Sequence, residues 1–433
     1  MNRRTFIRQG VGAVTALAAG APVIARAGAV RRPELRITRI LIQNAPGRRL
    51  TPVAPNAYAA FRGYDVKEPV LRVFAGTLEG ICHNPVKPEL LQKLIGLDPF
   101  ALFDWDGDRI KGPAEEHRQF LAELRGVDIA LLDLVGRALR RPIAALLGKE
   151  VRREVKVYDS SLYMEDLLKP DERYGLAYIK GAAPHDPTEF VARKAMWVLE
   201  QPEGVRILKI KIGRAKWMKS FDEALERDIA VVKAVRSAVG KTITLFVDGN
   251  DGYSSRPLAA AEFALAVGDP KLYAMEEMFP EDKTAELREV KIRIRAAGLP
   301  TKLADGENHV GGIPEKYLSE RWNGEKPLFD INQPDMNATG YLRLQSSAAA
   351  SAKNGVTVAP HNFGSKLGLY AQVHLGLVTP NWEFCESDDS QFPAFDPRGV
   401  RIRKGVAQLS GEPGLGVRLR EDALEKPSFT AEA

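Results

Sequence analysis

The chain has 433 residues, 45% hydrophobic and 27% charged, which excludes a disordered or fibrous protein and leaves room for two domains or a barrel with an appendage. The formal net charge is +6, but Arg3, Arg4, Arg8 and Arg26 all fall in the first 27 residues, which hold no acid. The remainder is close to neutral and gives no argument for nucleic acid or a charged membrane surface. The two cysteines, Cys82 and Cys385, exclude a disulfide framework and any zinc-type spacing, leaving room for one bridge at most.

Residues 1–27 read as a signal peptide. Paired arginines at Arg3 and Arg4 precede Phe6 and Ile7, a mild apolar run extends from Val11 to Ala25, and Ala25-Arg26-Ala27 is a small-x-small cleavage site. The arginine pair resembles the twin-arginine export signal, so a periplasmic or exported protein is expected. The run is too short and too rich in Ala and Gly for a membrane span, and no stable membrane insertion is expected.

Residues 28–150 read as an α+β domain. Leu35–Ile42 alternates as a strand does, and Val70–Phe74 reads as a second strand. The spacing over 118–139 predicts a helix with Phe120, Leu121, Leu124, Val127, Leu131, Leu134 and Val135 on its buried side. A second helical run extends over 141–148 and ends at Gly148. The segment 46–67, rich in Pro, Gly and Arg, has no periodicity and is expected to be a flexible loop. Substrate choice is expected to lie in it and near His83.

Over 151–390 the rhythm changes to eight short β-type runs, most of them followed by a helical pattern. They begin at Val155, Leu208, Thr242, Leu272, Thr301, Leu328, Val356 and Trp382. Phe221–Val239 is the clearest helix between them, and the long first gap predicts an insertion or extra helix. This is the pattern of a (β/α)8-type barrel, here preceded by a capping domain. The tail 391–433 is expected to pack back on the first domain.

The second of these strands, Leu208-Lys209-Ile210-Lys211-Ile212, puts three apolar side chains on one face and two lysines on the other. Later strands each end in a polar group: Asp248 with Asn250, Glu276 with Glu277, Glu307, Asp335, His361 and Glu386. Successive groups are roughly one βα unit apart, so all of them reach the C-terminal rim, where barrel enzymes keep their active sites. Asp248, Glu276 and Glu307 would repel one another unless a cation sat among them. All-oxygen donors suit a hard ion, Mg2+ first and Mn2+ as the alternative. Asp335 is placed to orient His361.

A divalent cation between a lysine base and a His–Asp pair suits removal of the proton next to a carboxylate, giving an enediolate. Lys211 must then be neutral, and Lys209 together with the cation is expected to lower its pKa. Glu386, if protonated, would donate to the second carboxylate oxygen. Strand parity favours Glu386 over Glu383 for this role.

The motifs Lys209-x-Lys211, Val247-Asp248-Gly249-Asn250, Met275-Glu276-Glu277, Gly306-Glu307, and Asp335 with His361 resemble those of the enolase superfamily. The resemblance is to its mandelate racemase and muconate lactonizing branch, and it extends over about 34–420, including Gly126–Leu134 in the first domain. It implies Mg2+ held by Asp248, Glu276 and Glu307, and Lys211 as base. It further implies Lys209 and Asn250 facing substrate, an Asp335–His361 dyad, and a C-terminal glutamate as electrophile. Where relatives often carry two glycines, this chain has Thr339-Gly340-Tyr341. The expected activity is dehydration of an acid sugar, with a racemase or epimerase as the alternative and an exported ligand-binding protein without catalysis as a third reading. A small-molecule carboxylate is the expected partner, and a homo-oligomer the expected assembly.

Overall fold

A computed structural model of the protein describes residues 32–269 and 272–433; the expected export signal lies outside the described residues. The first domain is built on a long antiparallel hairpin of β1 (Arg39–Val53) and β2 (Gly63–Ala75), extended by β3 (Leu78–His83). This corrects the expectation of a flexible loop over 46–67. Pro46 pairs with Lys67, Gly47 with Val66 and Arg48 with Asp65, and only 54–62 remains as a loop. Turn-forming composition was outweighed by a partner strand, because what decides strand residence is fit to a neighbour rather than intrinsic preference.

The helix expected over 118–139 is also broken. It splits into 118–123, a short 3-10 turn over 125–127, and α1 (Asp128–Leu139). Arg125 takes a left-handed φ of 51° that no α-helix can contain. A Cβ added at Gly126 would stand 1.9 Å from the Asn337 carbonyl oxygen, so the break lets the two backbones touch.

Eight parallel strands then form the barrel. They are β4 (Val155–Leu162), β5 (Ile207–Lys211), β6 (Thr244–Asp248), β7 (Leu272–Glu276), β8 (Lys302–Asp305), β9 (Ile331–Asn332), β10 (Thr357–Val358) and β11 (Phe384–Ser387). Neighbours pair in chain order, a bridge from Val358 to Trp382 joins the β10 and β11 segments, and β11 pairs with β4 to close the ring. The long first gap holds one crossover helix, α2 (Thr188–Leu199), and its extra length is an insertion over 163–187 that carries only two short 3-10 turns. The expected helix α3 (Phe221–Val239) starts at an N-cap Ser220 that accepts from Glu223 N and stops at Gly240, where φ is 73°. The α4 turn (Met336–Thr339), α5 (Tyr341–Lys353) and α6 (Lys366–Val378) surround the last strands.

Leu208, Ile210 and Ile212 are fully buried in the layer between strands and helices, where each contributes roughly 2 kcal/mol by leaving water. Tyr158, Ile207, Phe246, Ala274, Ala304, Ile331 and Phe384 fill the inside of the barrel. The C-terminal residues reach both sheets. The hairpin of β12 (Val400–Arg403) and β13 (Val406–Leu409) pairs with β4, and β14 (Phe429–Glu432) pairs with β1. Cys82 and Cys385 are buried free thiols. Among the described residues no helix is long and apolar enough to cross a membrane.

Candidate active site

Strand register builds the site. Lys211 on β5 lies opposite Asp248 on β6, which lies opposite Glu276 on β7, so the three side chains enter the barrel side by side at its C-terminal rim. One pleat deeper, Lys209 is 1% exposed and its ammonium stands 2.9 Å from Glu276, 3.0 Å from Glu386 and 3.3 Å from Asp248. Lys211 Nζ donates to Asp248 Oδ2. Glu307 follows Gly306, whose φ of 124° turns the chain inward; a Cβ there would meet Asn332 Oδ1 at 2.8 Å.

Asp248, Glu276 and Glu307 each offer a carboxylate oxygen within 4.8 Å of the others. Glu307 Oε2 is buried with no hydrogen-bond partner. Three converging carboxylates, one of them with an oxygen still free, fit a hard divalent cation. Glu277 points elsewhere: it accepts from Asn308 Nδ2 at 2.8 Å and from the Tyr58 hydroxyl at 3.3 Å.

Across this group stands His361. Its Nδ1–H donates to Asp335 Oδ2 at 2.8 Å, which turns Nε2 toward Glu307 Oε2, 3.4 Å away. Asp335 is held in place by its second oxygen, which caps α4 by accepting from Ala338 N at 2.7 Å. Glu386 Oε2 accepts from Asn362 N at 2.7 Å, and its Oε1 faces Lys209. Glu383 is excluded from the rim, because it bonds with Tyr273, Lys302 and Thr357 at the other end of the barrel. Asn250 donates its backbone N–H to Asp248 Oδ1 at 2.9 Å and keeps a buried, unpartnered side-chain oxygen.

The charges are tightly linked. Burial raises the Asp248 pKa, but Lys211 and Lys209 outweigh it and hold the carboxyl down at about 2. Burial and then the Asp248 charge push Glu276 up to about 8. Burial lowers the His361 pKa, but Glu307, Glu386 and Asp335 carry it up to about 10. Glu386 is lowered, against burial, chiefly by Lys209, so the protonated donor expected at this position is an ionised acceptor instead. Lys211 departs from expectation: burial lowers its pKa and Lys209 adds to that, but Asp248, Glu307 and Glu276 together override both and the net shift is upward. Asp248, in direct contact with Lys211, acts on it more strongly than Lys209 does, and the two glutamates add to it.

Some functional neighbours escaped sequence reasoning. Gln333 donates to Glu276 Oε2 at 3.0 Å; its inward parity with Asp335 was the available signal. Arg214, fully buried between Asp166 and Asp228, donates to the Lys211 carbonyl at 3.3 Å. Tyr58 arrives from the β1–β2 loop, and no local pattern announces it. His309 pairs with Glu281 at the rim, whereas His374 is packed in α6 as expected.

The profile of the family described as "Enolase C-terminal domain-like" matches residues 191–423. The chain belongs to this family. It is an enzyme of the enolase superfamily, in the mandelate racemase and muconate lactonizing branch. It is 27% identical to D-galactarolactone cycloisomerase of Agrobacterium fabrum over 70% of this chain and 73% of that protein. It is 25% identical to D-gluconate/D-galactonate dehydratase of Picrophilus torridus over 70% of each. Among solved structures, a galacturonate dehydratase from Geobacillus sp. complexed with D-galacturonate and 5-keto-4-deoxy-D-galacturonate superposes with a TM-score of 0.74 at 26% identity, over 90% of this chain and 96% of that one. A mandelate racemase/muconate lactonizing protein from Geobacillus sp. Y412MC10 complexed with magnesium/tartrate gives a TM-score of 0.75 at 26% identity, over 91% and 95%.

Proposed function

We propose that this enolase-superfamily enzyme dehydrates an acid sugar by α-proton abstraction. The observation that carries the reading is the placement of Lys211 and His361 on opposite sides of the Asp248, Glu276 and Glu307 cluster. Two relatives, a gluconate/galactonate dehydratase and a galacturonate dehydratase, support dehydration over racemisation.

Asp248, Glu276 and Glu307 would hold Mg2+. When bound, Mg2+ supplies Lewis acidity to the substrate carboxylate, and its charge offsets the acids that keep Lys211 protonated. Lys211 Nζ takes the α-proton. Lys209 flanks the substrate carboxylate and takes up the charge of the enediolate, Glu386 holds the Lys209 ammonium in place, and Asn250 faces the substrate beside them. His361, oriented by Asp335, gives a proton from Nε2 to the departing β-hydroxyl. Water leaves, and the resulting enol becomes a 2-keto-3-deoxy acid.

Incubating the Mg2+-loaded protein in D2O with a panel of acid sugars tests this by NMR. A 2-keto-3-deoxy product is expected, lost in both Lys211→Ala and His361→Ala. Exchange with inversion and no keto acid would replace dehydratase with racemase. Export through residues 1–27 is proposed as well, on the paired arginines and the Ala25-Arg26-Ala27 site. It is checked by sequencing the N-terminus of the periplasmic form, and a mature chain that retains Arg3 and Arg4 would refute it.

A further inference from the structure

The end of the barrel opposite the carboxylate cluster breaks the packing rule that its middle obeys. In the middle layer Ile207, Phe246, Ala274, Ala304, Ile331 and Phe384 pack as apolar filling. Barrel interiors are ordinarily completed by further branched apolar residues. Here the N-terminal end is polar instead. Lys302 Nζ donates to the Tyr273 hydroxyl at 2.6 Å and to Glu383, and the Tyr273 and Thr357 hydroxyls also donate to Glu383. A place where a sequence abandons the local rule is a place to look for function.

This layer opens into a cavity of about 610 Å3 whose charged lining is Arg152, Lys156, Arg206, Lys404, Glu154 and Glu383. Glu383 is neutralised by Lys302, whereas Glu154 accepts only from the neutral Gln408 amide at 2.9 Å and keeps its charge, so the lining sets Arg152, Lys156, Arg206 and Lys404 against one free carboxylate. Arg152 donates to the carbonyls of Gly376, Thr379 and Pro380, which leaves its charge uncompensated. Lys156, Arg206 and Lys404 have no carboxylate partner among the described residues.

Lys404 is the most informative of them. It sits with φ at 52°, before Gly405 at 72°, in the two-residue turn that joins β12 to β13. Such turns favour Asn or Gly at this position, so a lysine is a poor choice for the backbone alone. The turn is pinned, because Gly405 N donates to Glu203 O at 2.7 Å and Val157 N donates to Gly405 O at 2.9 Å. The backbone that carries this exposed lysine is therefore fixed at the wall of the cavity.

We propose that the N-terminal mouth of the barrel is a binding site for a small anion carrying at least two negative charges, a dicarboxylate or a phosphate, held by Lys156, Arg206 and Lys404.

Isothermal titration of inorganic phosphate and of malonate into the Mg2+-loaded protein, in chloride buffer at constant ionic strength, tests this. At least one anion is expected to bind at one site. The tighter of the two identifies a tetrahedral oxyanion or a dicarboxylate as the ligand. In the Lys404→Gly/Arg206→Ser double variant the affinity is expected to fall at least about tenfold, the effect of losing one charge-assisted hydrogen bond. Glycine suits the turn, so this variant should fold; if it does not, Lys156→Gln is read in the same way. Lys209→Met, altered at the opposite end of the barrel, should bind as the parent does. Absence of binding beyond chloride, or binding lost in Lys209→Met and kept in the double variant, overturns the proposal.

Discussion

Glu383 and Glu386 lie three residues apart on one segment, yet they reach opposite ends of the barrel. Glu386 meets Lys209 and Asn362 N at the rim, whereas Glu383 closes the Lys302, Tyr273 and Thr357 network. Glu386→Gln should therefore cut α-proton exchange by about a hundredfold or more while the fold survives. Glu383→Gln should leave exchange intact and lower stability by about 1–3 kcal/mol, because Lys302 loses its carboxylate partner. Exchange NMR and urea denaturation on the two variants separate these outcomes; equal loss of exchange in both would refute the assignment. Gln333 gives a second test at this scale. It is fully buried and donates to Glu276, so Gln333→Leu removes a donor that fixes a carboxylate of the cation cluster. Mg2+ affinity should weaken by roughly ten- to a hundredfold, as for other groups that orient a metal ligand. A calorimetric Mg2+ titration that matched the parent would sink this role for Gln333.

At the scale of elements, two of the contacts between the first domain and the barrel bear on the site. The loop 54–62 sets Tyr58 over Glu277 and is tied to the barrel by Lys216 Nζ on the Tyr58 carbonyl at 2.8 Å and by Trp217 Nε1 on the Asn56 carbonyl at 2.8 Å. The second contact is the break before α1. Gly126 rests on Asn337, inside the α4 turn that Asp335 caps, and Asp128 accepts from Tyr341 N and Leu342 N at the start of α5. Gly126→Ala would force a methyl into the Asn337 backbone, which cannot rotate away. A loss of about 2 kcal/mol or more is expected from such overpacking. Because α4 carries Asp335, the thermal midpoint and the rate of the His361-dependent step should fall together. A variant as stable as the parent, with a normal rate, would show that this contact does not position the dyad.

Across the whole molecule, the rim of the barrel was legible in the sequence and its surroundings were not. Lys211, Asp248, Glu276, Glu307, Asp335, His361 and Glu386 could be read because each lies at or just past a strand end, the strands recur once per βα unit, and Lys209 shares the inward face of Lys211 by alternation. The β1–β2 hairpin, the break at Arg125 and Tyr58 could not, since each depends on a partner far away in sequence. His374 is such a long-range residue and offers a global test. It lies on α6, accepts from Ala144 N through Nδ1, and donates through Nε2 to the Leu415 carbonyl, so one buried imidazole joins the first domain, the barrel and the tail. Burial lowers its pKa from 6.5 to about 4, although the Leu415 bond opposes the shift. The unfolded chain takes up this proton near pH 6.5 and the folded chain only near pH 4, so between those values the unfolded state binds more protons. Stability from this group is full above pH 6.5 and declines as pH falls to 4, by roughly 3 kcal/mol in total at about 1.4 kcal/mol per unit. His374→Gln removes the titration. Carboxylates elsewhere also titrate in this window, so the quantity to follow is the stability difference between parent and variant by urea denaturation at pH 7, 6, 5 and 4. That difference should shrink in the variant's favour as pH falls, and a constant difference would mean that the buried imidazole is not the linked group.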